Sequence, residues 1–334
     1  MIDSIVPPGP DGLKEKDIPP SLDLRAGIAR LRREKNAVIL AHYYQDGIIQ
    51  DLADFVGDSL DLSRKAAETE ADVIVFCGVR FMAETAKILS PTRTVVLPDA
   101  DAGCSLEESC KPEDFRKFRE SHPDHTALTY INCSAEVKAL SDVIVTSSNA
   151  ESIVRALPEN RPVLFAPDRH LGGYISRKTG RDMILWPGSC VVHEQFSESE
   201  LVKLKRDHPE APVVAHPECP ETILAHADHV GSTRSLLDFA TKVSANEIIV
   251  VTESNLIHEM MKASPRKRFI PVPGTASGKN GGLRPLCPFM ALNTLEKLYL
   301  CLVNDAPRVD MAESLIRAAH KPLERMLEMS SPAT

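Results

Sequence analysis

Along almost the whole chain, short apolar runs alternate with stretches in which apolar residues return every three or four positions. Leu22, Leu24, Ile28 and Leu31 keep near-helical spacing, and Ala37-Val38-Ile39-Leu40-Ala41-His42 then reads as a strand. Helices are expected over 46–55, 60–70 and 81–90, with a short strand-like piece over 56–59, a strand over 72–77 and another running from Val95 toward Cys104. The order then restarts: helices over 112–121, 135–140, 150–157 and 169–178, strands over 127–132, 142–148, 162–166 and 183–186. A third round has helices over 198–207, 221–227, 235–244 and 255–263 and strands over 213–216, 229–233, 247–252 and 269–272. Residues 289–303 and 309–327 read as closing helices.

Equivalent points keep step. His42, Tyr130 and His216 fall at matching strand ends; Cys104, Cys190 and Cys287 fall at matching later points, the last delayed by a glycine-rich stretch over 274–282. The period is longer than that of any common solenoid repeat. Strands that alternate with helices call for parallel sheets covered on both faces. The expected fold is therefore α/β: three homologous αβα-sandwich domains with parallel sheets around a pseudo-threefold axis. The expected division is a leader over 1–20, domains over 21–111, 112–196 and 197–288, and C-terminal helices and tail over 289–334. Ligands of such sheets bind beyond the carboxyl ends of the strands, so the three units would face one cleft.

Composition narrows the class. The 334 residues are 43% hydrophobic and 26% charged, an ordinary balance for soluble globular chains, and the net charge of -8 disfavours nucleic acid or an anionic membrane as main partner. Residues 1–20 lack a signal-like apolar core, and no run approaches the roughly 18 apolar residues of a membrane span. A cytoplasmic protein is expected. In a reducing compartment its eight cysteines are thiols or metal ligands rather than disulfides.

Three kinds of candidate chemistry follow from the repeat. Cys104, Cys190 and Cys287 would suit an iron–sulfur cluster or zinc, with one metal position left open for Lewis-acid work. Cys77 and Cys301 read as core thiols, and Cys110, Cys133 and Cys219 as bystanders. Ser59, Ser147–Ser148 and Ser232–Thr233 open helices after the second strand of each unit, where free N–H groups and hydroxyls could hold anions. His42, Tyr44, Tyr130, Asn132, His193, His216 and Glu218 follow strand ends or the Cys190 turn and are the acid–base candidates. Lys279 and Arg284 could serve an anionic ligand. An electron carrier, a zinc hydrolase or aldolase, and a non-catalytic metabolite-binding module are the competing classes.

The motifs Ala41-His42-Tyr43-Tyr44-Gln45, Gly57-Asp58-Ser59, Ala102-Gly103-Cys104-Ser105, Tyr130-Ile131-Asn132, Trp186-Pro187-Gly188-Ser189-Cys190-Val191-Val192-His193, His216-Pro217-Glu218-Cys219, Gly231-Ser232-Thr233 and Cys287-Pro288-Phe289-Met290 together resemble the quinolinate synthase family over roughly residues 22–305. The resemblance implies condensation of iminoaspartate with dihydroxyacetone phosphate to quinolinate, with release of phosphate and two waters, in NAD biosynthesis. It implies a [4Fe–4S] cluster with three cysteine ligands, Cys104, Cys190 and Cys287, and one open iron site acting as Lewis acid. Ser59, Ser147, Ser232 and Thr233 would hold phosphate or carboxylates. His42 and His216 would bind substrate, with Tyr130 and Asn132 beside them. Tyr44 and Glu218 would move protons, and His193, also counted as catalytic, would lie close to the cluster. An L-aspartate oxidase would be the functional partner. Some members carry CxxCxxC around the last ligand; Arg284 and Leu286-Cys287-Pro288 leave a single cysteine here, so no disulfide switch of that kind is expected.

Overall fold

The computed structural model describes residues 12–274 and 284–330. Its strands are β1 (Ala37–His42), β2 (Phe55–Gly57), β3 (Val73–Cys77), β4 (Thr94–Val96), β5 (Thr126–Tyr130), β6 (Val143–Val145), β7 (Val163–Ala166), β8 (Met183–Leu185), β9 (Val213–Ala215), β10 (His229–Val230), β11 (Glu247–Val251) and β12 (Arg268–Pro271). They form three four-stranded sheets with one repeated order: β2-β1-β3-β4, β6-β5-β7-β8 and β10-β9-β11-β12. All these pairings are parallel. Helices cover both faces, which is why central strands such as β3, β5 and β7 are buried along their whole length, and why β3 and β7 read as unbroken apolar runs. The chain is thus an α/β protein of three like sandwiches.

One aspartate per unit fixes how the first two strands line up. Asp54 accepts the N–H of Ile39 at 2.9 Å, Asp142 that of Ala127 at 2.7 Å, and Asp228 that of Val213 at 2.8 Å. Each pair is 15 residues apart, and each aspartate N–H donates back to the same residue's carbonyl. A slip of one residue would turn every side chain of a strand to the other face. Counted onward from these aspartates, Ser59, Ser147 and Thr233 occupy the same place in each unit.

The C-terminal segment departs from the sequence pattern. The helix expected over 289–303 is broken into a 3-10 turn, Met290–Leu292, and the helix Leu295–Asn304, because the Thr294 hydroxyl accepts the Lys297 N–H and starts a new helix. The helix expected from 309 begins at Glu313 instead; Val309 donates to the carbonyl of Val95, and Arg308 pairs antiparallel with Val96 at the open edge of the first sheet. The first of these helices packs on the first unit and the second bridges two. Leu298, Tyr299 and Leu302 pack with Ile28 and Leu31. Ala319, Leu323 and Met326 of Glu313–Met329 share an apolar cluster with Leu62 of the first unit and Val143 of the second. Replacing Leu323 by Ala would cost about 2–5 kcal/mol. The glycine-rich stretch beyond Gly274, with Lys279, lies outside the described residues.

Candidate active site

The carboxyl ends of the three sheets converge on one pocket. Twelve of the fourteen residues to which the family resemblance gives a role line it: His42, Tyr44, Ser59, Cys104, Tyr130, Asn132, Ser147, Cys190, His216, Glu218, Thr233 and Cys287. His193 lies directly behind the wall and is fully buried. Ser232 is turned away: its hydroxyl caps the helix Thr233–Lys242. Arg284 is exposed and outside the lining.

Two strand ends are built alike. The N–H of Tyr44 donates to Nδ1 of His42 at 3.1 Å, and the N–H of Glu218 donates to Nδ1 of His216 at 3.4 Å. Each bond places the proton of a neutral ring on Nε2. Burial holds both rings neutral, at about 4 for His42 and about 3 for His216, against the opposing pull of Glu218. Both are therefore fixed hydrogen-bond donors at neutral pH.

A buried polar chain runs between the same two strand ends. Tyr130 Oη donates to Glu218 Oε1 at 2.6 Å. The other carboxylate oxygen, Oε2, lies 2.8 Å from His193 Nδ1, an approach off the hydrogen-bond line. His193 Nε2 meets Thr252 Oγ1 at 3.0 Å, and Thr252 Oγ1 meets Tyr44 Oη at 2.8 Å. The rings of His193 and His216 stack with centroids 4.8 Å apart. Burial would push the Glu218 carboxyl up, but His216, His193 and the Tyr130 hydroxyl outweigh it and hold the group below the usual carboxylate range. Burial, then the Glu218 charge, pushes the phenols of Tyr44 and Tyr130 well above theirs. The chain thus joins an anionic carboxylate to a neutral phenol, with an imidazole between them.

The three cysteines share one local geometry. Each accepts, at its carbonyl, the N–H of the residue four places on: Glu108 to Cys104 at 2.9 Å, Glu194 to Cys190 at 3.0 Å and Ala291 to Cys287 at 3.0 Å. Each therefore opens a helical turn, and N–H groups of that turn favour its thiolate. Burial is stronger, helped by the charge of Glu218 at Cys190 and of Glu253 at Cys287: Cys104 and Cys190 are pushed well up, and Cys287 to about 11. Three neutral thiols at one pocket, each pre-set to be stabilised as thiolate, form a donor set that fits an iron–sulfur cluster. Cys190, His193 and Glu218 also bring ligand atoms within 4.8 Å of one another, a set that could hold a single ion. The other cysteines are buried among apolar side chains: Cys77 and Cys301 in one cluster, Cys110 and Cys133 with Phe115, Cys219 under the third sheet.

Ser59, Ser147 and Thr233 follow β2, β6 and β10, the edge strands opposite β4, β8 and β12 that lead toward the cysteines, and so mark the other end of the pocket; Ser59 and Thr233 begin helices and Ser147 precedes one. Behind them the three units are tied by hydroxyls. Ser148 Oγ donates to Asp58 Oδ2, and lies 2.8 Å from Ser232 Oγ. Asp58 in turn caps the helix Ser59–Glu68 through the N–H groups of Leu60 and Asp61.

A family model described as quinolinate synthetase A protein matches residues 26–328. The chain belongs to that family. It is 56% identical over 308 residues to a quinolinate synthase of Microcystis aeruginosa, covering 92% of this chain and 95% of the relative. It is 57% identical over 309 residues to that of Chloroherpeton thalassium, covering 92% and 95%, and 56% identical over 312 residues to that of Thermosynechococcus vestitus, covering 93% and 97%. Among the described residues no helix is long and apolar enough to cross a membrane.

Thr252 is a member of the polar chain that the sequence pattern does not reveal. It stands just after β11, at a third-strand end, but threonine is an ordinary strand residue and carries no chemical flag. Its neighbour Glu253, fully buried, is the other omission.

Proposed function

We propose that this chain is a quinolinate synthase, condensing iminoaspartate with dihydroxyacetone phosphate to quinolinate with loss of phosphate and two waters, in cytoplasmic NAD biosynthesis. The observation that carries this reading is the meeting, in one pocket, of three thiols, three helix-start hydroxyls and the polar chain from Tyr44 to Tyr130. Family membership, with relatives that bear the name, supports it.

Cys104, Cys190 and Cys287 would hold a [4Fe–4S] cluster whose one open iron supplies Lewis-acid chemistry for a departing hydroxyl. Ser59, Ser147 and Thr233 offer hydroxyls and nearby backbone N–H groups to phosphate and carboxylate oxygens, as suits a phosphate ester and a dicarboxylate. His42 and His216 donate from Nε2 to substrate oxygen, and Tyr130 and Asn132 fix its orientation. Glu218, ionised, takes a proton from carbon. A turn of the His193 ring that brings Nδ1 onto Glu218 Oε2 would complete a path for that proton through Thr252 to Tyr44, whose neutral phenol protonates the leaving oxygen. Phe81, Met82, Val79 and Phe289 in the lining keep water from competing. An L-aspartate oxidase is the proposed source of iminoaspartate.

The test is quinolinate formation by anaerobically purified protein given dihydroxyacetone phosphate and freshly generated iminoaspartate. Product that vanishes after exposure to air is the expected result. No product from protein with verified iron and sulfide would overturn the assigned reaction. The competing reading is a single zinc ion on Cys190, His193 and Glu218, favoured by the closeness of their ligand atoms; metal and sulfide analysis separates the two.

A further inference from the structure

The three cysteine turns are anchored differently. The first two are tied to each other: Ser105 Oγ accepts the N–H of Val191 at 3.1 Å and donates to the carbonyl of Ser189 at 3.4 Å. The third is tied to the segment that follows β11. Glu253 Oε1 accepts the N–H of Cys287 itself at 3.2 Å, while Oε2 accepts the N–H of Asn255 at 2.7 Å. Beside it, the N–H of Ser254 donates to the carbonyl of Pro285 at 3.1 Å. Asn255 then reaches the other way, its Nδ2 donating to the carbonyl of Tyr44 at 3.1 Å. Four consecutive residues thus touch both the third cysteine and the tyrosine at the end of the polar chain, to which Thr252 also bonds.

A fully buried carboxyl group is a costly way to fill core space. Here its two oxygens answer two backbone N–H groups that diverge, which no apolar residue can do and which a glutamine can only half do. Its amide N–H would face one of the two donors.

We propose that Glu253 is the positioning residue that sets Cys287 to receive its metal cofactor, and that Asn255 holds Tyr44 to the same strap. Cofactor arm and acid are thereby placed by one rigid segment, Thr252-Glu253-Ser254-Asn255. This rests on the cofactor assignment made above for Cys104, Cys190 and Cys287.

The experiment compares wild type with Glu253→Ala, Glu253→Gln and Asn255→Ala. Each is reconstituted anaerobically, iron and sulfide per chain are measured, and loss of the visible charge-transfer absorbance is timed in excess chelator. Thermal unfolding of the cofactor-free proteins serves as control. The expected result is a lifetime about tenfold or more shorter for Glu253→Ala, intermediate for Glu253→Gln, and unchanged for Asn255→Ala, which lowers kcat at constant KM instead. The cofactor-free unfolding temperatures should stay together. Equal lifetimes for wild type and Glu253→Ala, or a lifetime loss matched by an equal drop in cofactor-free stability, would overturn the proposal. Wild type that takes up no iron and sulfide would overturn the cofactor assignment itself, a different failure with a different readout.

Discussion

The two ends of the pocket are both threefold, yet they are finished in opposite ways. At the hydroxyl end, Ser59 and Thr233 begin helices capped by Asp58 and Ser232, Ser147 precedes a helix whose cap residue Asn149 makes no side-chain cap bond, and Asp58, Ser148 and Ser232 link the three units by neutral and charge-assisted hydrogen bonds. At the thiol end, Cys104, Cys190 and Cys287 are held as neutral groups by burial, with nearby carboxylate charge adding to it at Cys190 and Cys287. The first end is complete as folded. The second becomes thiolate only when a cation displaces its protons. The difference teaches that threefold repetition of a backbone does not repeat its chemistry; what is aimed at each strand or helix end does.

The largest effect that would break the comparison is at the thiol end. Cys190→Ala should abolish iron and sulfide uptake and reduce quinolinate formation to background, while protection by inorganic phosphate against thermal unfolding persists. Retention of full iron, sulfide and activity would remove Cys190 from the ligand set. Next is the polar chain between the two ends. Glu218→Gln keeps the shape and the contact with Tyr130 but cannot take a proton, so kcat should fall by about 10²–10⁴ with metal content unchanged. Near-normal turnover would show that the proton leaves elsewhere. At the hydroxyl end, Ser147→Ala or Thr233→Ala should raise KM for the phosphate-bearing substrate about tenfold, the scale of one lost hydrogen bond to a charged group, with cluster content unaffected. A change in cluster content would mean that the two ends are not independent.

A smaller, pH-dependent effect also separates the ends. Glu107, in the turn opened by Cys104, has its carboxyl pushed up to about 7, first by burial and then by Glu84. The unfolded chain releases that proton near 4.5 while the folded chain keeps it to about 7. The group therefore costs stability progressively as pH rises through that window, and no further above it. Chemical unfolding of cofactor-free protein from pH 5 to 8 should show the decline, about 1–2 kcal/mol, and Glu107→Gln should flatten it. An unchanged slope in that variant would assign the decline to another group.

How legible this was in the sequence depends on what each element had to bury. Strands such as Val73–Cys77 are covered on both faces, so their apolar runs announce themselves. The three cysteines, and the histidines at two equivalent strand ends, were legible because repetition marked them. The hydroxyls were only half legible. Ser232 looks like Thr233 in sequence, but the strand register set by Asp54, Asp142 and Asp228 puts Thr233 in the pocket and Ser232 at the cap. Thr252 and Glu253 were not legible, since their roles lie in contacts with His193 and Cys287, far away in the chain. The break at Thr294 was hidden because apolar residues continue on both sides of the cap.

The finest test concerns the link that makes the hydroxyl end rigid. Ser148 carries no place in the pocket lining, yet its hydroxyl bonds Asp58 of the first unit and meets Ser232 of the third. Ser148 has one proton to give, so with Asp58 as its acceptor the Ser232 hydroxyl must donate to it. Ser148→Ala therefore leaves an acceptor and a donor without partners at the junction, although Asp58 retains its two cap bonds. Because Ser148 is exposed, water can replace part of what is lost, and the stability change should be only about 0.5–1 kcal/mol by chemical unfolding. The informative quantity is KM. If the junction merely fills space, KM for the phosphate-bearing substrate stays at the wild-type value. If it holds Ser59, Ser147 and Thr233 at the spacing an anion requires, KM rises several-fold while kcat and iron content do not move. The second outcome is expected, since the Ser148 hydroxyl of the second unit bonds side chains of both the first and the third directly behind these helix starts.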